Sequence, residues 1–238
     1  NMVENEISIA KLGHLEKTRT YPTKYVYPIP RTRDGWEEKK YVYLDFGTNH
    51  KVSLLTRKVE NFCLPALNGF DFAVKPSFSE TYSIAWKTLK DRGFVVVPTV
   101  RIVDTDTVAT TNLSVDEVTS IYDQKIDAAE VRDTFPMDKF FMDIPLRKLQ
   151  QAADNIVGLA NKSGVELMSD GPFHIVVNGD GSWYLILLDI GKVRIYNKPN
   201  ELPKSSVKDN VFYVNKAMTA FARIQKNIRS LLEARGFT

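Results

Sequence analysis

The chain has 238 residues, 43% of them hydrophobic and 26% charged, and a net charge of +3. That length buries a full core, in one two-lobed domain or in two small ones, and the composition is that of an ordinary soluble globular protein. No apolar run is long enough for a membrane span, the net charge is too small to announce nucleic acid, and the lone Cys63 excludes an internal disulfide and fits a reducing cytoplasm.

Asn1-Met2 reads as a scar of tag removal ahead of the native methionine, with no signal peptide opening the chain. Residues 1–36 have no periodicity, but Lys11, Lys17, Arg19, Lys24, Arg31 and Arg33 are interleaved with Tyr21, Tyr25, Tyr27 and Trp36. Such a basic and aromatic arm binds single-stranded nucleic acid through phosphate contacts and stacking, or docks on a partner chain. More commonly it packs its aromatics on its own domain and leaves the charges solvated. A hairpin follows over Lys40–Leu55, turning at Gly47, and Cys63 reads as a small buried hydrophobe beside Phe62 and Leu64.

Gly69 to Lys75 alternates like a strand, and Pro76 precedes a helix that begins near Ser79-Glu80, with Ser79 as its cap and Glu80 as a first-turn acid. A lysine closing a buried strand is costly unless an anion meets it, so Lys75 is a phosphate-contact candidate. Two more strands follow, Gly93–Val103 and Thr107–Leu113, and then a helix over 115–132 with Val115, Val118, Tyr122 and Ile126 on its apolar face. A second amphipathic helix runs from Ile144 to Lys162 and is stopped by Ser163-Gly164.

The most informative segment comes next. His174–Val177 is a short β-branched run, Asn178-Gly179-Asp180-Gly181 is a strong turn signal, and Trp183–Leu188 is continuously apolar, so the three form a hairpin. Asp170 stands at its entrance and Asp189 at its exit, close enough to share a divalent cation through oxygen ligands, unless both are ordinary strand-end acids. A loop with Pro199 and Pro203 then leads to a helix over Ser206–Ala234, whose expected apolar stripe is Val211, Val214, Ala217, Met218, Phe221, Ile224, Ile228, Leu231 and Leu232. His14 and His50 have no ligand-spaced neighbours for zinc, and no Ser-His-Asp or Cys-His arrangement stands out.

Taken together, the order of elements, Ala73-Val74-Lys75, the passage Lys90-Asp-Arg-Gly-Phe-Val-Val-Val-Pro98, the helix-to-loop passage from Ile156 to Asp170, and Leu188-Asp189-Ile190-Gly191 resemble the protein-kinase-like fold. The likeness covers residues 37–196 and is to small bacterial and phage-type members of the lipopolysaccharide- and aminoglycoside-kinase kind. The resemblance implies an α+β, two-lobed fold with a reduced C-terminal helical lobe. Its parts are an arm (1–36), a lobe of antiparallel sheet plus one helix (37–113), and a helical lobe bearing the 174–189 hairpin (114–238). It further implies ATP and Mg²⁺ as cofactors. Lys75 would meet the α- and β-phosphates, Asp189 would hold the metal, and Asp170 would orient or deprotonate the acceptor hydroxyl. Thr110, Thr111, Asn112 and Leu113 would be the linker whose backbone meets adenine.

Departures accompany the likeness. His174 stands where an asparagine would bind a second metal, although a hard Mg²⁺ ion prefers oxygen. The catalytic loop is one residue short, and Met168-Ser169 replaces the usual histidine-containing lead-in. No Gly-x-Gly-x-x-Gly precedes Lys75, and the helix position expected to carry a glutamate falls near Ile84, one turn from Glu80. Three functions are therefore open: an atypical nucleotide-dependent phosphotransferase with a small-molecule acceptor, a pseudokinase that binds or regulates, and a nucleic-acid- or protein-binding module using the arm. One C-terminal helix leaves little platform for a peptide substrate.

Overall fold

Phe78, Tyr82, Ala85, Trp86 and Leu89 recur at helical spacing, and in the computed structural model they form the buried face of the first helix. The structure describes residues 6–7, 24–28, 36–39, 53–57, 64–97, 99–112, 144–167, 173–178, 183–187 and 190–234. In chain order its elements are β1 (Glu6–Ile7), β2 (Lys24–Pro28), β3 (Trp36–Lys39), β4 (Ser53–Arg57), β5 (Ala66–Asn68), α1 (Phe78–Asp91), β6 (Thr99–Ile102) and β7 (Thr107–Asn112). They continue with α2 (Leu146–Ser163), β8 (Val165–Glu166), β9 (Phe173–Asn178), β10 (Trp183–Leu187), β11 (Arg194–Tyr196) and α3 (Lys204–Ala234). The fold is thus mixed, with helices packed on small sheets, as the α+β expectation requires.

Three sheets are present among the described residues. The largest has the order β1-β6-β7-β4-β3; β1 joins β6 in parallel and the other neighbours are antiparallel. The second is the expected hairpin, β9 against β10, with β2 laid antiparallel along the outer edge of β9 from Lys24↔Asn178 to Pro28↔His174. The third is β5-β11-β8, in which β11 runs parallel to β5 and antiparallel to β8. The arm of residues 1–36 therefore contributes backbone to two sheets of its own chain, β1 to the first and β2 to the second.

Several elements differ from expectation. The strand expected over Gly69–Lys75 does not form: β5 ends at Asn68, Gly69 turns at φ 75°, and Asp71 to Lys75 are exposed. An alternating sequence makes a strand only where an edge receives its backbone, and here β11 pairs with Ala66–Asn68 instead. Of the hairpin expected over 40–55, residues 40–52 lie outside the described residues, and the strands that pair around them are Trp36–Lys39 and Ser53–Arg57. The cap of α1 is Ser77, whose hydroxyl accepts from the Glu80 amide, and not Ser79. The helix expected over 115–132 lies outside the described residues.

The helix ends follow local rules. Gly93 at φ 97° closes α1 with the Phe94 amide donating to the Leu89 carbonyl (3.1 Å) and the Gly93 amide to Lys90 (3.0 Å), a Schellman arrangement. Gly164 stops α2 as expected, at φ 76°, where a Cβ would lie 2.8 Å from Cα of Pro199. One continuous buried cluster joins the halves of the chain: Tyr82 and Leu89 of α1, Val108 of β7, Leu149 and Ala153 of α2, Leu185 and Leu187 of β10, Ile195 of β11, and Val214 and Met218 of α3.

Candidate functional site

Two nested closures frame the segments that carry Asp170 and Asp189. Antiparallel pairing of Arg194 with Glu166 and of Ile195 with Val165 brings β11 back beside β8, so the chain leaves and returns at the same place. Inside that closure Phe173 pairs with Leu187 at the open end of the hairpin. Asp170 falls on the connection from Leu167 to Phe173 and Asp189 on the connection from Leu187 to Ile190; both aspartates themselves lie outside the described residues. The described residues at three of the four ends, Leu167, Leu187 and Ile190, are almost fully buried.

The frame is held by polar groups at its back. Asn210 of α3 is fully buried, and its side-chain amide pairs with β8 as a neighbouring peptide would: Oδ1 accepts from the Leu167 amide at 2.7 Å and Nδ2 donates to the Val165 carbonyl at 2.9 Å. The same Nδ2 donates to Oδ1 of Asn161 in α2 at 2.8 Å. Next to it, Ser206 Oγ donates to the buried Glu166 carboxylate at 3.0 Å, with Arg194 Nη1 4.0 Å away on the facing strand. Further along, Gln225 Nε2 donates to the Ile144 carbonyl at 3.1 Å. The inner face of α3 is thus a polar seam with Val214 and Met218 between its members, while Val211, expected in the apolar stripe, is 44% exposed. Asn210 stands one turn before Val214, and that polar residue in line with an apolar stripe is the signal a sequence reading could have used.

The front of the frame meets the connection between α1 and β6. Leu187 exchanges hydrogen bonds with the segment after α1, its amide donating to Val95 (2.8 Å) and its carbonyl accepting from Val97 (2.9 Å). Trp86 Nε1 of α1 donates to the Val97 carbonyl at 2.7 Å from a buried position. The hairpin that delivers Asp189 is therefore bonded directly to the connection between α1 and β6.

The other sequence-derived residues are dispersed. Lys75 is exposed in the segment between β5 and α1, so it does not close a buried strand. Glu80 pairs with Arg101 of β6 at 3.1 Å, and Arg101 Nε also donates to Ser79 Oγ at 2.7 Å. His174 lies in the central strand of the hairpin sheet, opposite Ile186 on one side and Pro28 on the other. Thr110, Thr111 and Asn112 are not a free linker but part of β7, opposite Leu55, Leu54 and Ser53 of β4, and Leu113 lies outside the described residues. Thr110 is also opposite Thr99 of β6, and its fully buried hydroxyl has no hydrogen-bond partner among the described residues.

Asp106 was not singled out by the sequence. It sits at φ 47° in the turn between β6 and β7, accepts from the Ser79 amide at 3.0 Å and from Ser79 Oγ at 2.6 Å, and so caps the start of α1 from across the fold. Burial pushes its carboxyl up, but hydrogen bonds from the Ser79 and Ser77 side chains and from the Ser79 and Phe78 amides outweigh this and hold it below its ordinary value.

Among the described residues no group of three or more His, Cys, Asp or Glu side chains converges as a metal site, and no helix is long and apolar enough to cross a membrane. No protein-family model matches the chain, and no curated protein and no solved structure is detectably similar to it.

Proposed function

We propose that the chain is a kinase-like, nucleotide-dependent phosphotransferase of atypical kind, two-lobed, with the five-stranded sheet and α1 on one side of a nucleotide cleft and the hairpin, α2 and α3 on the other. One observation carries the reading: the β8–β11 and β9–β10 pairings bracket the stretches of chain that carry Asp170 and Asp189 between the same two strand pairs. Two carboxylates delivered from adjacent connections are hard oxygen donors and suit Mg²⁺, whose role would be to neutralise the phosphate oxygens. In this reading Asp189 holds the ion and Asp170 takes the acceptor proton as the γ-phosphoryl group moves to the hydroxyl oxygen and ADP leaves. His174 would add a softer second-metal ligand, and Lys75 would reach phosphate from an exposed segment. In this reading the backbone of Thr111 and Asn112, at the far end of β7, would meet adenine on the edge away from β4. The described pairing with β6 reaches Thr110 at Thr99, the first residue of β6.

A second reading, a binding module without turnover, is favoured by Glu80, because its carboxylate is engaged by Arg101 in place of Lys75. Thermal melting with ATP and Mg²⁺, with ATP and EDTA, and with neither separates the outcomes. At 100-fold excess over Kd, ligand adds about 2.7 kcal/mol, or roughly 5–11 °C for a chain of this size. Asp189→Ala should abolish the Mg²⁺-dependent part of the shift. Transfer of labelled γ-phosphate to water or to an acceptor, lost in Asp170→Ala, distinguishes the enzyme from the binding module. Absence of any nucleotide shift in the wild-type chain would sink both.

A further inference from the structure

Arg92, the C-cap residue of α1, is one that the phosphotransferase reading does not use. The Schellman closure at Gly93 fixes where its side chain leaves α1. From there Nη1 donates to the carbonyl of Ser163 at 2.6 Å and Nη2 to the carbonyl of Asn197 at 3.2 Å. Ser163 is the final residue of α2, and Asn197 is the first residue after β11. Everything between them, residues 164–196, is the loop that contains β8, the Asp170 connection, the hairpin, the Asp189 connection and β11. The Tyr196 amide donates to the Gly164 carbonyl at 2.9 Å across the same neck, and the Asn197 amide donates to Asn68 at 2.9 Å. The Ser163 carbonyl is one of the acceptors a helix C-terminus leaves unused, where the helix dipole favours a cation. Burial draws the guanidinium out of water and lowers its pKa from the ordinary value, so these two carbonyls replace part of its hydration.

The other end of α1 is fastened elsewhere. Asp106 and Arg101 hold Ser79 and Glu80 to the β6–β7 hairpin of the large sheet. α1 is therefore clamped to the sheet at its start and to the neck of the acidic loop at its end.

Resting on the phosphotransferase reading, we propose that Arg92 is a positioning residue: it holds the neck of residues 164–196 shut at Ser163 and Asn197, and through α1 it ties the β8–β11 pair at that neck to the large sheet. A lysine keeps the charge but not the planar fork that spans two carbonyls, so Arg92→Lys is the discriminating variant and Arg92→Ala the full deletion.

The test uses the full chain. Hydrogen exchange without ligand should be about tenfold or more faster in both variants at the amides of 165–167 and 193–197, and unchanged at 100–102 and 107–110. If Arg92→Ala does not fold, Arg92→Lys carries the measurement. Unchanged exchange at the neck, or equal acceleration throughout the large sheet, overturns the proposal. In parallel, affinity for ATP is measured with Mg²⁺ and with EDTA; the variants should lose about tenfold only with Mg²⁺. Equal loss in both conditions reduces Arg92 to a structural residue and overturns the positioning role. A wild-type chain that binds no ATP sinks the phosphotransferase reading and the positioning role, while the exchange data still decide whether Arg92 closes the neck.

Discussion

At the scale of single residues, the polar groups inside the core set the finest constraints. Thr110 is fully buried at the centre of β7 with a hydroxyl that has no partner among the described residues, and an unmet polar group of that kind costs about 1–3 kcal/mol. Thr110→Val keeps the shape and removes the hydroxyl, so it should raise the urea midpoint by about 1 kcal/mol of stability; a lower midpoint would show that the hydroxyl has a partner. Asn210 is the opposite case, since its amide is matched to both a backbone donor and a backbone acceptor of β8. Asn210→Ala should cost about 1–3 kcal/mol by equilibrium denaturation, because the Leu167 amide and the Val165 carbonyl are left behind in the core; a change within a few tenths would refute that account. These residues mark the limit of what sequence could tell. The hairpin and the Gly164 stop were legible because turn and cap preferences are local. Arg92, Asp106 and Asn210 act on partners 27 to 105 positions away, and no spacing rule links them.

At the scale of elements, α1 shows how a helix boundary can be misread while the helix itself is plain. Its apolar spacing is regular, yet Ser77 and Ser79 are both suitable caps, and the choice falls to Asp106, which takes the Ser79 amide and hydroxyl from another element. Lys75 was misplaced for a related reason: alternation from Gly69 onward looks like a strand, but among the described residues no strand pairs with it beyond Asn68. The folded-state pKa of Asp106 lies below its ordinary value, so its contribution is present above the unfolded carboxyl value of about 3.9 and is lost as pH falls through the lower, folded value. Asp106→Ala should therefore lower stability by about 0.5–2 kcal/mol at neutral pH, as loss of a cap does. Its melting temperature should also fall less steeply than wild type as the pH drops below about 4. Parallel acid limbs for the two proteins would contradict the assignment.

At the scale of the whole molecule, the buried cluster runs without a break from α1 through the hairpin to α3. Hydrogen bonds between Leu187 and Val95 and Val97 cross the boundary expected between a sheet lobe and a helical lobe. A shared core should unfold as one unit. Heat denaturation followed by far-ultraviolet dichroism and by tryptophan fluorescence, with Trp86 in α1 and Trp183 in β10, should give coincident transitions, and two separated midpoints would argue for independent lobes. The pairing of β2 with β9 has a practical side as well. β9, Phe-His-Ile-Val-Val-Asn, carries no formal charge at neutral pH and is rich in β-branched residues, the composition that drives strands of different molecules to stack. β2 occupies its free edge and begins with Lys24 and ends with Pro28, two residues that discourage a further strand from adding. A chain shortened to begin at Trp36 would expose that edge and should precipitate, whatever becomes of its chemistry.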